Sequence, residues 1–244
     1  MDTPQPSAEE MLARVLHRDG LMLVIDKPPG IAVHRGPKGG PNLEASFDAL
    51  RFGLPRPPVL AHRLDRDTSG CLVLGRHRKA TATLGLLFKH GKIAKTYWAV
   101  VEGGPDENEG TIDIPLGRLN AERGWWQKPD PDGAPSQTRW RVEGRGDGLT
   151  WLKLEPLTGR THQLRVHCAA MGWPIYGDTI YGNAPRTGGP GLHLQSREIV
   201  VPLYKNKEAI AVTAPVPEHM RETLQMCGWD SRDQTAPLMQ RTIA

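Results

Sequence analysis

One short segment concentrates ionisable side chains. Residues 62–70 read His-Arg-Leu-Asp-Arg-Asp-Thr-Ser-Gly and lead straight into the apolar run 71–74, Cys-Leu-Val-Leu, so a charged turn sits at the mouth of a strand. Asp65 lies between Arg63 and Arg66, with Asp67 two residues on. Nearby positive charge favours an ionised carboxylate, which suits Asp65 to act as a nucleophile or base and not as an acid. The plain alternative is a salt-bridged loop in which Thr68 and Ser69 close a turn. A second segment, 159–167, reads Gly-Arg-Thr-His-Gln-Leu-Arg-Val-His. On a helix Thr161, Leu164 and Cys168 share a face, and Arg165 falls about one turn from His162, where it could enter a cleft. The alternative is basic residues at a helix end and a histidine packed in the core. His162 and His167 are five apart, which spoils the spacing of a helical metal pair, and no H-E-x-x-H accompanies them, so no metal site is expected. In a third segment, 95–103, Tyr97 and Trp98 must face opposite sides of a strand. One can enter the core while the other lines a cleft and stacks on a base, although core packing would explain both.

The elements that must position these groups follow from apolar spacing. Residues 21–30 form an apolar run closed by Pro-Pro-Gly, a buried strand and a rigid loop. Further strands are expected at 71–76, 96–103, 111–117, 136–144 and 149–157. Helices are expected over 78–90, 161–171 (ended by Gly172 in a left-handed conformation) and 218–227. A short flanking helix is expected within 1–18, capped by Ser7. Strands outnumber helices and are joined by short turns, so the expected fold is α+β, with a mixed, largely antiparallel central sheet flanked by helices and loops. The expected organisation is a flank over 1–18, a catalytic domain over 19–217 and a C-terminal helix and tail over 218–244. Residues 104–135, rich in Gly, Pro and acids, are expected to be an insertion.

Composition narrows the function. The chain has 244 residues with a net charge of +4, and no apolar run long enough to span a bilayer. Its N-terminus lacks the basic-then-apolar plan of a secretory signal, so cytoplasmic residence is expected. Cys71, Cys168 and Cys227 are widely spaced and are expected to be reduced and structural. The charge is uneven: residues 51–95 hold ten basic residues against two acids, a local +8, which leaves −4 for the rest. Such asymmetry suggests one positive face aimed at a polyanion, RNA or DNA, the alternative being basic residues that merely solvate a surface. Loops of the G-x-x-x-x-G-K-[ST], G-x-G-x-x-G and G-x-S-x-G types are absent, which argues against nucleotide hydrolysis, dinucleotide redox chemistry and a serine hydrolase.

Taken in order, the segments 24–34 (VIDKPPGIAVH), 62–70, 95–103, 157–178 (LTGRTHQLRVHCAAMGWPIYGD) and 192–217 (LHLQSREIVV…AVTAPVP) resemble the RluA-type family of pseudouridine synthases. The resemblance covers about residues 20–217. It implies a two-lobed catalytic domain with a cleft between the lobes, and an isomerase that turns uridine into pseudouridine in structured RNA, tRNA or rRNA, without cofactor or metal. The C1′–N1 bond breaks, the uracil rotates, and C1′ rejoins at C5. On that resemblance Asp65 is the catalytic carboxylate, attacking the sugar or abstracting its C2′ proton. Tyr97 stacks on the uracil and assists at C5, Arg165 pairs with the aspartate, and Leu164 packs beneath the site. Arg63 helps displace the target nucleotide, and His62, Arg66, Lys89, Lys92, Lys95, Arg160 and His162 are the remaining RNA contacts. The enzyme is expected to be a monomer with no obligatory protein partner. About 20 residues precede the first motif, and the catalytic domain itself is expected to hold RNA. The segment 123–128, with Trp125 and Trp126, matches no family motif and is either a substrate-contacting loop or a hydrophobic contact in the insertion. Two rival readings are a non-catalytic RNA-binding module and a nucleosidase or glycoside hydrolase using Asp65 and Asp67 as a carboxylate pair.

Overall fold

A computed structural model of the chain describes residues 4–36, 39–120 and 125–234. The strands are β1 (Val15–Arg18), β2 (Met22–Lys27), β3 (Val59–Leu60), β4 (Ser69–Gly75), β5 (Ala94–Glu102), β6 (Glu109–Asp113), β7 (Leu116–Arg118), β8 (Gln127–Pro129), β9 (Gln137–Gly146), β10 (Leu149–Pro156), β11 (Leu194–Val201) and β12 (Ile210–Thr213). Four α-helices accompany them: α1 (Ala8–Ala13), α2 (Arg78–Lys89), α3 (Gln163–Ala170) and α4 (Glu218–Met226). One ten-stranded sheet runs β1-β2-β4-β11-β5-β10-β9-β6, with β12 beside β11 and β3 beside β4, while β7 and β8 form a separate two-stranded ribbon. Every pair in the large sheet is antiparallel except β4 with β11, so the α+β expectation holds.

Period-two alternation divides the core between the sheet's faces. On β2 and β4, Leu23, Ile25, Leu72 and Leu74 pack on one face with Leu43 and Phe47 of the 3-10 helix Leu43–Leu50. Met22, Val24, Cys71 and Val73 pack on the other with Leu84 of α2 and Val201 of β11. Farther along the sheet, Ala99, Val101, Leu152 and Leu154 face α3, while Val100 meets Met220 and Leu224 of α4. Burying one such leucine contributes about 2 kcal/mol. Tyr97 touches both the core beneath α3 and the core beneath the 3-10 helix, and so lies at the junction of the two halves of the sheet. That junction is the floor of the cleft.

The helices expected over 78–90, 161–171 and 218–227 form with slightly shorter bounds. The N-terminal segment differs from expectation. Ser7 does cap a helix, in a capping box with Glu10, but that helix stops at Ala13 and Val15–Arg18 becomes a strand along β2. The unpaired backbone edge of β2 offers hydrogen bonds that an isolated helix end could not match. The 104–135 stretch also divides. Its residues 109–113 join the main sheet beside β9, and 116–118 and 127–129 supply the ribbon. The strand expected over 111–117 breaks at Pro115, which has no N–H for a ladder. Cys71, Cys168 and Cys227 are buried and free.

Candidate active site

The charged turn His62–Thr68 joins β3 to β4. The Thr68 N–H donates to the Asp65 carbonyl at 3.2 Å, closing the turn so that the Asp65 side chain faces the cleft. Gly70 follows at φ +99°, and a Cβ there would lie 2.2 Å from the Ser196 carbonyl oxygen. Only glycine lets β4 meet β11 this closely, and the parallel pairing at Gln195↔Ser69 and Ser196↔Gly70 carries the turn to the sheet junction.

Beneath the turn lies Lys27, fully buried at the end of β2. Its Nζ donates to the carbonyls of Pro28, Arg66 and Thr68 at 2.8, 2.7 and 2.9 Å, matching the three N–H bonds of an ammonium. Burial opposes that charge and pulls the lysine pKa down to about 7, although Asp67 and Asp65 act the other way. Between about 7 and the ordinary 10.5 the unfolded chain therefore holds more protons than the folded one, and stability from this group rises with pH across that window. Lys27→Met is expected to cost about 2–3 kcal/mol, because three carbonyls lose a buried donor, and to flatten that rise. Urea unfolding at pH 7 and pH 9 checks both effects.

The opposite wall is the start of α3. His162 precedes the helix in a left-handed conformation, φ 54° and ψ 15°. Such backbone is costly for a side-chain-bearing residue and is held here by its contacts. Tyr181 accepts a hydrogen bond from the Gln127 N–H at 3.0 Å, and its hydroxyl lies 2.8 Å from His162 Nδ1. With the tyrosine donating to Nδ1, the neutral imidazole carries its proton on Nε2, which points at Asp65 Oδ2 from 3.8 Å. Burial lowers the His162 pKa more than the Asp65 charge raises it.

Arg165 corrects an expectation. Its guanidinium is buried and forks onto Asp178, with Nε and Nη2 donating to the two carboxylate oxygens at 2.8 and 2.7 Å. Asp65 is not its hydrogen-bonded partner; it feels the arginine only as a nearby charge. The physical reason is burial, since a guanidinium 3% exposed requires a carboxylate equally out of water, and Asp178 is 1% exposed. Asp178 also accepts the N–H groups of Ile180 and Tyr181 at 2.8 and 3.0 Å. Burial works against both charges, yet the mutual hydrogen bonds prevail, raising the Arg165 pKa and lowering that of Asp178.

A cleft of about 800 Å³ is lined by His62, Arg63, Asp65, Lys89, Lys95, Tyr97, Arg160, His162, Leu164 and Arg165, residues drawn from all three chemical segments. Among the described lining residues Asp65 is the one carboxylate, set among Arg63, Lys89, Lys95, Arg160 and Arg165. Leu164 is buried and joins the core beneath α3. Tyr97 and Trp98 take opposite faces: Tyr97 lines the cleft, and Trp98 packs edge-on to Trp151 with Arg197 above its ring.

Four of the expected RNA contacts do not present a free cation to this cleft. His62 accepts the Val73 N–H at Nε2, 3.0 Å, and stacks on Phe88; burial drives its pKa down to about 3, so it is a neutral cleft wall and not a cation. His162 is 8% exposed and engaged with Tyr181 and Asp65, which leaves little of it for a phosphate. Arg66 and Lys92 are exposed outside the cleft lining, and Arg66 donates to the Gly30 carbonyl at 3.1 Å. Lys95 lines the cleft while reaching the Thr158 carbonyl at 3.4 Å. His167 is a core histidine, bonded to Thr138 and the Ile114 carbonyl. Of the segment 123–128, Arg123 and Gly124 lie outside the described residues.

The sequence profile of the family described as RNA pseudouridylate synthase matches residues 21–170, a span that includes the Asp65 turn, Tyr97 and Arg165. The chain belongs to the RNA pseudouridine synthase family, of RluA type. An RNA pseudouridine synthase of Zymomonas mobilis is 41% identical over 209 residues, covering 84% of this chain and 94% of that protein. Ribosomal large subunit pseudouridine synthase C of Haemophilus ducreyi is 35% identical over 225 residues, 88% of this chain and 69% of that protein. The solved structure of human RNA pseudouridylate synthase domain containing 4 superposes with a TM-score of 0.76 at 25% identity, covering 90% of this chain and 95% of that one. This synthase is thus an RNA-modifying isomerase with the fold of its solved relatives.

Several residues that shape this pseudouridine synthase site escaped the sequence reading. Asp178 and Lys27 lie within the quoted segments, yet no spacing pairs them with Arg165 or the Asp65 turn. Tyr181 lies just beyond the 157–178 block. Gln163 holds the 158–160 turn, accepting from Thr158 Oγ1 and the Arg160 N–H at 2.7 and 3.0 Å and donating to the Gln137 carbonyl and Thr138 Oγ1. The one available signal was Lys27, a lysine at the end of the apolar run 21–25, which needs buried partners if the strand is buried.

Proposed function

We propose that this synthase isomerises a uridine in ribosomal or transfer RNA with Asp65 as its catalytic carboxylate. The observation that carries the reading is a single carboxylate set among five cationic side chains, with an aromatic ring at the cleft floor. Asp65 attacks C1′ or removes the C2′ proton, and either route lets the N1–C1′ bond break. The uracil turns and C5 joins C1′; the C5 proton then leaves and N1 gains one, so the reaction balances without any cofactor. Extracting the target from its stack costs about a few kcal/mol. Arg63 at the exposed lip, with Lys89, Lys95 and Arg160, offsets that cost through phosphate contacts. Ribosomal RNA is favoured by the named activity of the Haemophilus ducreyi relative.

Burial pushes the Tyr97 phenol well above its ordinary pKa, so at neutral pH it is protonated. It can stack and donate a hydrogen bond, but it is not a phenolate base for C5. Tyr97→Phe is therefore expected to bind RNA normally and lose about tenfold in kcat, the scale of one missing hydrogen bond. A gel shift and single-turnover rates check it.

A carboxylate-pair hydrolase finds no support, because Asp67 lies outside the cleft lining, 3.9 Å from Arg66 Nε. No described helix is long and apolar enough to cross a membrane. The proposal includes a cytoplasmic monomer that needs no protein partner, testable by fractionation and sedimentation. The enzymatic test is tritium release from C5-labelled uridine in ribosomal and transfer RNA made without modifications. Release from neither RNA, or release of free uracil, would sink the reading.

A further inference from the structure

The ribbon formed by β7 and β8 carries an exposed aromatic beside the cleft. Trp125 is 56% exposed, the most open large apolar side chain among the described residues. Its indole stands edge-on to the His162 ring, 5.7 Å between centroids and 88° between planes, and His162 Nε2 is 3.8 Å from Asp65 Oδ2. One imidazole therefore separates this indole from the carboxylate.

The residues that follow Trp125 are tied to the fold. Trp126 packs against it at 5.5 Å and 84°, the Leu119 N–H donates to the Trp126 carbonyl at 2.8 Å, and the Gln127 N–H donates to Tyr181 at 3.0 Å. Both rings recorded against Trp125 are nearly perpendicular to it, so neither is stacked parallel on the indole. Charge chooses the partner. Arg118 and Lys128 are exposed on the same ribbon and Arg160 on the cleft wall, while Asp130 is turned back to accept the Asp132 N–H at 3.1 Å. Among the described residues, an exposed indole with no ring stacked parallel on it, at a ribbon that carries exposed cations, fits a base on a phosphate backbone better than an apolar peptide.

Resting on the reading that the cleft takes RNA, we propose that Trp125 is a stacking platform for an unpaired base flanking the uridine held at Asp65. Stacking tolerates any base but requires that the base be free of a duplex. The platform therefore selects uridines in single-stranded loops over those in helices.

The test compares wild type, Trp125→Ala and Trp125→Phe on a short oligouridylate and on an abasic ribose-phosphate strand of the same length. Wild-type tryptophan fluorescence is expected to be quenched by the oligouridylate and not by the abasic strand, and the quenching to disappear in Trp125→Phe. Trp125→Ala should bind the oligouridylate about five- to a hundredfold more weakly, with Trp125→Phe within about threefold of wild type. The salt dependence of binding should stay unchanged in Trp125→Ala and fall by about one unit of slope in Lys128→Ala. On full RNA, Trp125→Ala should raise KM and change kcat little. Unquenched wild type, undiminished affinity in Trp125→Ala, or equal weakening on the abasic strand would overturn the proposal. So would a change in sedimentation with Trp125→Ala, which would make the indole a contact between two copies of the chain. Failure of the parent reading shows separately, as wild type that releases no tritium from any RNA.

Discussion

Asp65→Asn is expected to abolish tritium release from C5-labelled RNA, by at least about a thousandfold in kcat, while leaving the fold intact. The magnitude follows from removing the only carboxylate among the described cleft-lining residues, where base or nucleophilic help is worth about 10²–10⁴-fold. Asparagine keeps the shape, and the Thr68 N–H still meets the backbone carbonyl of residue 65, so the turn should persist. Unfolding free energy should change by less than about 1 kcal/mol, as for other substitutions that create no cavity or buried charge. RNA affinity should hold or rise slightly, since a negative charge leaves a cleft lined by Arg63, Lys89, Lys95, Arg160 and Arg165. A variant that folds, binds RNA and still turns over would remove Asp65 from the mechanism.

Asp178→Asn is expected to produce the largest loss of stability, about 3–5 kcal/mol, because it strands a buried guanidinium. Against a total of about 5–15 kcal/mol for a typical protein, that is enough to lower the thermal midpoint severely. The carboxylate serves three partners at once, Arg165 and the N–H groups of Ile180 and Tyr181. Its loss should therefore release Tyr181 from His162 and reduce activity as well. The pH sign follows from the lowered Asp178 pKa. Its contribution is complete above the ordinary value of 3.8 and is lost as pH falls through the folded value, so wild type and variant should converge in acid. Urea unfolding carried from pH 7 to well below the ordinary carboxylate value of 3.8 checks this. Replacing both partners, Arg165→Met with Asp178→Leu, should recover much of the stability and none of the activity, which separates folding from function.

The Tyr97–Trp98 pair and Arg165 show where residue patterns stop being informative. Alternation along β5 was enough to place Tyr97 and Trp98 on opposite faces, because a strand's geometry is local. Whether Tyr97 or Trp98 met the cleft depended on which face of β5 lay at the junction of the sheet's two halves, which the strand order β4-β11-β5 decides. Helical spacing likewise indicated that Arg165 could face inward, but not which acid would meet it. Residues 165 and 178 come together only after β5 and β10 have formed the floor on which α3 packs. His62 and His162 were expected as RNA contacts, and burial makes them neutral cleft walls.

By itself, then, the sequence determined the α+β class, the helices α2, α3 and α4, the glycine-closed Asp65 turn and a family resemblance that the profile match supports. These depend on local backbone preferences and on ordered motifs, both carried by neighbours in the chain. Tertiary structure alone decided that Asp178 and not Asp65 neutralises Arg165, that Lys27 underpins the turn, that Val15–Arg18 extends the sheet, and that Trp125 stands beside the cleft. Each of these is a choice of partner that spacing in the chain does not dictate, whether the partners are near in sequence, as Arg18 and Leu23, or far apart, as Lys27 and Arg66. Burial and strand order make that choice, because a charge withdrawn from water must find its counter-charge wherever the packed chain has brought one.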